Sequence, residues 1–316
     1  MRPAWIPLLL TACLWTAAAI AQAPPMPVQQ VSPHGYYVQG QAALGSASNQ
    51  NFISNAGFVI APDGVVVIDA LGSPELARRL VQAIRQLTPK PITHVIVTHY
   101  HADHIYGLQT LKAEGAHILA QRGALEYIHS ETARLRLQAS RNDLAPWIDQ
   151  NTQIIEADTW LAGSTTLRLA GADLVIEHVG PSHTPEDLTV YWPSEKLLFA
   201  GDLVFNGRLP FVGKADSSQW ILALDQLLRH DTVAMVPGHG AASLEPQRDM
   251  AVTRDYLKYL RQTMGQAVED FVPFDAAYAQ TDWSRFAAMP MFGPANRMNA
   301  YNTYLLLEEE ALQKKR

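Results

Sequence analysis

The strand-like run Val95-Ile96-Val97-Thr98 stops on His99-Tyr100-His101-Ala102-Asp103-His104, and this H-x-H-x-D-H segment constrains the chain more than any other feature in it. Side chains alternate with a period of two in extended backbone, so His99 and His101 point the same way and can grip one metal ion together. Asp103 and His104 then enter a helix start, swing round, and can offer a carboxylate oxygen and an imidazole nitrogen to a second ion. Burying three imidazoles and a carboxylate without a metal would demand many satisfied hydrogen-bond partners. Imidazole and carboxylate together suit zinc, with iron and manganese as the other candidates.

The segments around this motif alternate in character. Asn51 to Ile60 reads as a strand, Pro62-Asp63-Gly64 as a turn, and Val65 to Asp69 as a continuous apolar strand. Ser73 with Pro74 and Glu75 starts a helix that runs to about Leu87, where Thr88-Pro89-Lys90-Pro91 stops it. A helix is expected around Ile105 to Glu114, a short strand at His117 to Ala120, and one long helix from Arg122 to Ser140. Hairpins follow at residues 165–179 and 188–200. A helix over Ser217 to Arg229 leads to a strand at Val233 to Val236 and the turn Pro237-Gly238-His239-Gly240. Leu244 to Val268 reads as helical, Phe271 to Pro294 as irregular, and Asn296 to Lys315 as helical again. Strand-strand-helix-strand-helix occurs early and a similar cycle returns later, which predicts one α/β domain with two similar halves.

Composition narrows the class. The 316 residues are 48% hydrophobic and 17% charged with a formal net charge of −6, a globular balance with no basic bias toward nucleic acid. Arg2 precedes an apolar run from Ile6 to Ile20, and Ala21-Gln22-Ala23 closes it as an A-x-A site. Residues 1–23 are therefore expected to be a signal peptide cleaved after Ala23, with a periplasmic or secreted product. The single cysteine, Cys13, lies within that run, so the mature chain has no disulfide and no thiolate ligand. Leu10-Thr11-Ala12-Cys13 also has the form of a lipobox, and a membrane association follows only if Cys13 is lipidated. Residues 24–35 read as a loose mature start.

Thr98 to His104 resembles the signature of the metallo-β-lactamase fold superfamily, and the resemblance extends over about residues 36–268. Val66-Val67-Ile68-Asp69 resembles its buried strand ending in a supporting Asp. Gly180-Pro181-Ser182-His183-Thr184, Phe199-Ala200-Gly201-Asp202 and Pro237-Gly238-His239-Gly240 are similar to its later ligand motifs, in the family's order. The resemblance implies an αβ/βα four-layer sandwich; residues 269–316, beyond the resemblance, are expected to be a helical extension packed on the same domain. It implies that His99, His101 and His183 hold one zinc, that Asp103, His104 and His239 hold another, and that Asp202 lies between them. A metal-bound hydroxide would then attack an ester, thioester or lactam-type carbonyl of a small-molecule substrate, with Asp103 orienting it and passing its proton on. His34, His94, His117, His129, His178 and His230 match no ligand position.

Asp202 stands where the cysteine-containing lactamases have their cysteine, which makes the metal set resemble that of glyoxalase II. Phe211, Gly213 and Ala241 replace the lysine and tyrosines with which glyoxalase II holds glutathione. Residues 203–216 resemble an exported branch associated with sulfur-oxidation and quinoprotein systems. In this loop Arg208 and Lys214 are candidates to hold a substrate carboxylate, and Asn206 to polarise a carbonyl. The alternatives to the hydrolase are a β-lactamase activity on antibiotics, an iron-dependent persulfide dioxygenase, and a non-catalytic metal-binding partner of a quinoprotein.

Overall fold

Val28–Gln30 (β1), Gly35–Val38 (β2), Ala56–Ala61 (β3), Gly64–Ile68 (β4), Ile92–Ile96 (β5), His117–Gln121 (β6) and Thr159–Leu161 (β7) lie side by side in chain order as one sheet. Strands β1 to β4 pair antiparallel and β4 to β7 parallel. The second sheet runs Ala234–His239 (β12), Leu197–Phe205 (β11), Leu188–Trp192 (β10), Ala172–His178 (β9), Thr165–Leu169 (β8), with only β11 and β12 parallel. This is a computed structural model, and it describes residues 26–313. The leader at 1–23, Cys13 and the cleavage site after Ala23 lie outside the described residues.

Both sheets are covered twice, which explains the unbroken apolar runs of their central strands. All five residues of β4 and all nine of β11 are buried. Val66, Ile68 and Ile96 meet Leu174, Ile176 and Val190 between the sheets. On the outer face of the first sheet lie Pro74–Leu87 (α1), Ala102–Ile105 (α2), Leu108–Ala113 (α3), Ala124–Ile128 (α4) and Glu131–Asp143 (α5). On the outer face of the second lie Ser217–Leu227 (α6), Pro246–Glu269 (α7), Phe274–Gln280 (α8) and Phe292–Gln313 (α9). The layers are thus helix, sheet, sheet, helix.

Helix α1 begins as read: the Ser73 hydroxyl accepts the Leu76 N–H at 3.3 Å and Pro74 occupies the first turn. Elsewhere the structure corrects the reading. Within the expected loose start, Val28–Gln30 forms β1 against β2; a three-residue edge strand is too short for alternation to show. The expected long helix at 122–140 is two, because the Ser130 hydroxyl caps a new one by accepting the Ala133 N–H at 3.2 Å. The irregular span at 271–294 contains α8. Strand β3 starts only at Ala56, and β11 continues past Ala200 to Phe205, so Asp202 sits inside a strand.

Candidate metal centre

Four chain ends converge at one mouth of the sandwich. Strand β5 runs out through Thr98 into His99 and His101, and α2 carries Asp103 and His104. The β9–β10 connection brings His183, β11 brings Asp202, and β12 ends on His239. The β9–β10 connection is held against the first motif by the Leu188 N–H, which donates to the Thr98 carbonyl at 2.8 Å.

The seven side chains fall into two adjoining groups. His99, His101, His183 and Asp202 present ligand atoms that all lie within 4.8 Å of one another, and Asp103, His104 and His239 do the same. His101 Nδ1 is 3.0 Å from both His99 Nε2 and His183 Nε2. Such spacing is what nitrogens bound about 2.0–2.1 Å from one zinc would show. Asp202 reaches both groups: its Oδ2 is 3.4 Å from His183 Nε2 and 3.2 Å from His239 Nε2, and its Oδ1 is 3.2 Å from His104 Nε2. Asp103 Oδ2 lies 3.3 Å from His239 Nε2 and 3.6 Å from His104 Nε2.

The electrostatics favour cations here. Burial drives the pKa of His99 and His101 down and that of His183 down to about 3, so all three keep neutral imidazoles with free lone pairs. In the second group burial opposes charge, yet mutual attraction wins. Asp202, Asp103 and Asp69 raise His104 well above its ordinary value, while His239 and His104 hold Asp202 well below the carboxylate range. A proton on His104 thereby stands in for positive charge that the carboxylates demand. His104 Nε2 and Asp202 Oδ1 are both fully buried and, among the described residues, without a hydrogen-bond partner, although 3.2 Å apart. Buried orphans of this kind fit a bound cation. The donor set, five imidazoles and two carboxylates, suits zinc.

A second layer orients these candidate ligands. Asp69, at φ +64°, accepts the Thr98 N–H and Thr98 hydroxyl at 2.8 Å each, and its Oδ2 lies 2.8 Å from His104 Nδ1. His239 Nδ1 donates to the Ile53 carbonyl at 2.7 Å, which turns Nε2 inward. The Asn55 carboxamide donates to the Pro237 and Gly240 carbonyls, both at 2.8 Å, so residues 51–55 serve the site as a loop. A Cβ at Gly238 would stand 2.0 Å from Asp202 Oδ1, so only glycine lets β12 pass this close. His183 packs edge-on against Trp220 at 5.2 Å, and Phe205 stacks on His239 at 4.8 Å.

The three loop candidates fare differently. Asn206 donates its amide to the Ala241 carbonyl at 2.9 Å and to Asp249 Oδ2 at 3.4 Å, so it braces the His239 turn. Lys214 is exposed. Arg208 is only 2% exposed, its guanidinium 5.7 Å from the Phe205 ring centroid and 5.6 Å from that of Phe211. The other histidines stay apart; His178 Nε2 donates to the Pro185 carbonyl at 3.1 Å, and His94 and His117 face each other with ring centroids 6.1 Å apart. Sequence reasoning missed Ile53, Trp220 and the Phe205 stack. Only the aromatic residues flanking Arg208, in Phe205-x-x-Arg208-x-x-Phe211, carried a signal.

Two histidine–carboxylate clusters at the mouth of a doubly covered pair of sheets define a metallo-hydrolase fold. The family model described as "Metallo-beta-lactamase superfamily" matches residues 50–239, and the chain belongs to that superfamily of hydrolytic metalloenzymes. It is 24% identical over 235 residues to a linear primary-alkylsulfatase of Pseudomonas sp. (strain ATCC 19151), a match covering 63% of this chain and 44% of that one. It is 28% identical over 202 residues to the metallo-beta-lactamase type 2 of Bacillus cereus, covering 62% and 71%. The chain thus spans less than half of the alkylsulfatase. Among solved structures, a stereoselective inverting sec-alkylsulfatase from Pseudomonas sp. aligns with a TM-score of 0.69 at 18% identity, over 88% of this chain and 49% of that one, a likeness of fold.

Proposed function

We propose that the protein is an exported hydrolase holding two zinc ions and cleaving an ester, thioester or lactam-type carbonyl substrate that carries an anionic group. Arg208 carries the second half of this reading. Its guanidinium is buried; among the described residues its Nη1 has no hydrogen-bond partner, and its one polar contact is Nε to the Leu209 carbonyl at 3.4 Å. Burial lowers its pKa, against the pull of Asp202 and Asp103, whose fields reach it from the metal centre. Arginine nevertheless stays protonated, and an uncompensated buried cation is costly. A substrate carboxylate that reaches the guanidinium supplies the missing counter-charge.

Zinc, when bound, supplies Lewis acidity and lowers the pKa of water. The chain's own groups do the rest. Asp69, Thr98 and the Ile53 carbonyl hold the ligand imidazoles in register. Asp103, its side chain 17% exposed, accepts and releases a proton at Oδ1, the oxygen not turned to His239. Trp220 and Phe205 exclude water behind His183 and His239. A sulfate ester is a second reading, favoured by the alkylsulfatase likeness over 88% of the chain; the same arginine would hold its sulfate.

The test is metal analysis with a panel of esters, thioesters, lactams and alkyl sulfates, each as an anionic and a neutral congener. Close to two zinc ions per chain are expected. Arg208→Met, which keeps the packing on Phe205 and Phe211, should lower kcat/KM for anionic members about 10- to 100-fold, mainly through KM. It should also raise Tm, because it removes a buried charge. One tightly bound iron and no hydrolysis of any member would overturn the hydrolase reading. Export is checked separately: intact mass of the exported protein should begin at Pro24, whereas a lipid on Cys13 contradicts it.

A further inference from the structure

Residues 206–216 join β11 to α6, and their backbone is tied to Pro290 and to Asn299 of α9 more than to itself. Within residues 206–216 the Ala215 N–H donates to the Val212 carbonyl at 3.0 Å, and Gly207 and Gly213 sit at φ +70° and +55°. The Leu209 N–H donates to the Pro290 carbonyl at 3.0 Å. The Val212 N–H donates to Asn299 Oδ1 at 2.9 Å, and Asn299 Nδ2 donates to the Pro210 carbonyl at 2.7 Å. On the other side of Arg208, the Asn206 N–H donates to the His239 carbonyl at 2.9 Å. The arginine's backbone is therefore clamped from both directions, by the metal-ligand turn behind it and by α9 ahead of it.

Asn299 is fully buried on α9, next in sequence to Ala300, which belongs to the apolar cluster that also holds Leu257 and Leu260. A carboxamide there is costly unless all its groups are satisfied. Its second Nδ2 hydrogen goes to Tyr256 Oη at 3.1 Å; that hydroxyl donates to Asn296 Oδ1 at 2.9 Å, and Asn296 Nδ2 donates to Tyr278 Oη at 3.1 Å. A residue serving only to join α7 and α9 would need the Tyr256 bond alone. Two of the three bonds of Asn299 instead grip loop backbone two and four positions beyond Arg208.

We propose that Asn299, outside the span matched by the family, is a positioning residue that fixes the 209–212 backbone and thereby holds the Arg208 guanidinium over Phe205, the ring stacked on His239, so that α9 sets the preference for anionic substrates. The proposal rests on the reading of Arg208 as the anion site. Fully satisfied buried networks rigidify what they hold, and a positioning error of an ångström is enough to weaken a bidentate contact.

The experiment uses the zinc-loaded full chain and one anionic and neutral pair from the panel. Asn299→Leu is expected to lower the anionic-over-neutral ratio of kcat/KM about tenfold through KM, the scale of one lost hydrogen bond, and to speed amide hydrogen exchange at Leu209 and Val212. In the double variant with Arg208→Met the ratio should fall no further than in Arg208→Met alone, because Asn299 acts through that side chain. Equal loss on both congeners, or full additivity in the double variant, overturns the positioning role. A ratio unmoved by Arg208→Met overturns the anion site itself, and the positioning role with it; a ratio moved by Arg208→Met but not by Asn299→Leu overturns only the latter. If Asn299→Leu fails to fold, Tyr256→Phe leaves one Asn299 donor without its partner and should lower the ratio about threefold; an unchanged ratio there overturns the proposal.

Discussion

Asp103→Asn is expected to lower turnover on any substrate the protein hydrolyses by about a hundred- to ten-thousand-fold, the usual cost of losing a positioned acid–base group. Burial alone would favour the protonated acid, but His104 and His239 pull its pKa below the ordinary value, so the carboxylate is ionised in the folded protein. It has two jobs that an amide of the same shape cannot do. Its Oδ2, 3.3 Å from His239 Nε2, completes the second ligand group, and its exposed side can take up a proton. The variant should therefore bind its second zinc weakly and lose kcat more than KM. Full activity with two metals still bound would falsify the role.

Asp69→Asn should weaken zinc at the second group about 10- to 100-fold, although Asp69 is not itself among the ligands. The backbone tolerates the change, since asparagine accepts the left-handed conformation found here at φ +64°. The chemistry does not tolerate it. The carboxamide oxygen can still accept the Thr98 N–H, but an NH2 then faces His104 Nδ1, where an acceptor now stands 2.8 Å away. Nδ1 must become the acceptor, which moves the proton to Nε2. That nitrogen faces Asp103 and Asp202 and must present a lone pair to a metal. Competition titration with a chromophoric chelator measures the change, and an unaltered second affinity would sink the tautomer argument.

Much of the fold is legible in the order of residues alone. Apolar runs at Val65–Ile68 and Val95–Val97 mark strands covered on both faces, and Ser73-Pro74-Glu75 marks a helix start, because those signals depend on neighbours a few residues away. The short elements are not legible in that way. β1 needs β2 beside it, α8 has seven residues, and the break at Ser130 is a cap hidden inside a helical-looking stretch. Arg208 and Asn206 read alike as polar loop residues in the sequence. The structure separates them: one is buried beside two phenyl rings with an idle nitrogen, the other ties down a turn.

The sequence by itself determined the chemistry available at the site, since imidazole and carboxylate identities and the spacing of His99, His101, Asp103 and His104 are local properties. It also carried the order of the distant ligands, His183, Asp202 and His239, through a family resemblance. Only the tertiary structure decided how those ligands meet, because their convergence depends on two sheets packing face to face and on loops as far apart as His99 and His239, 140 residues along the chain. Only it showed that a backbone carbonyl, Ile53, orients His239, for a carbonyl leaves no mark on residue type. Burial of Arg208 was decided the same way, with the 207–212 loop tied down by residues that follow the matched span, Pro290 before α9 and Asn299 within it, more than seventy residues further along the chain.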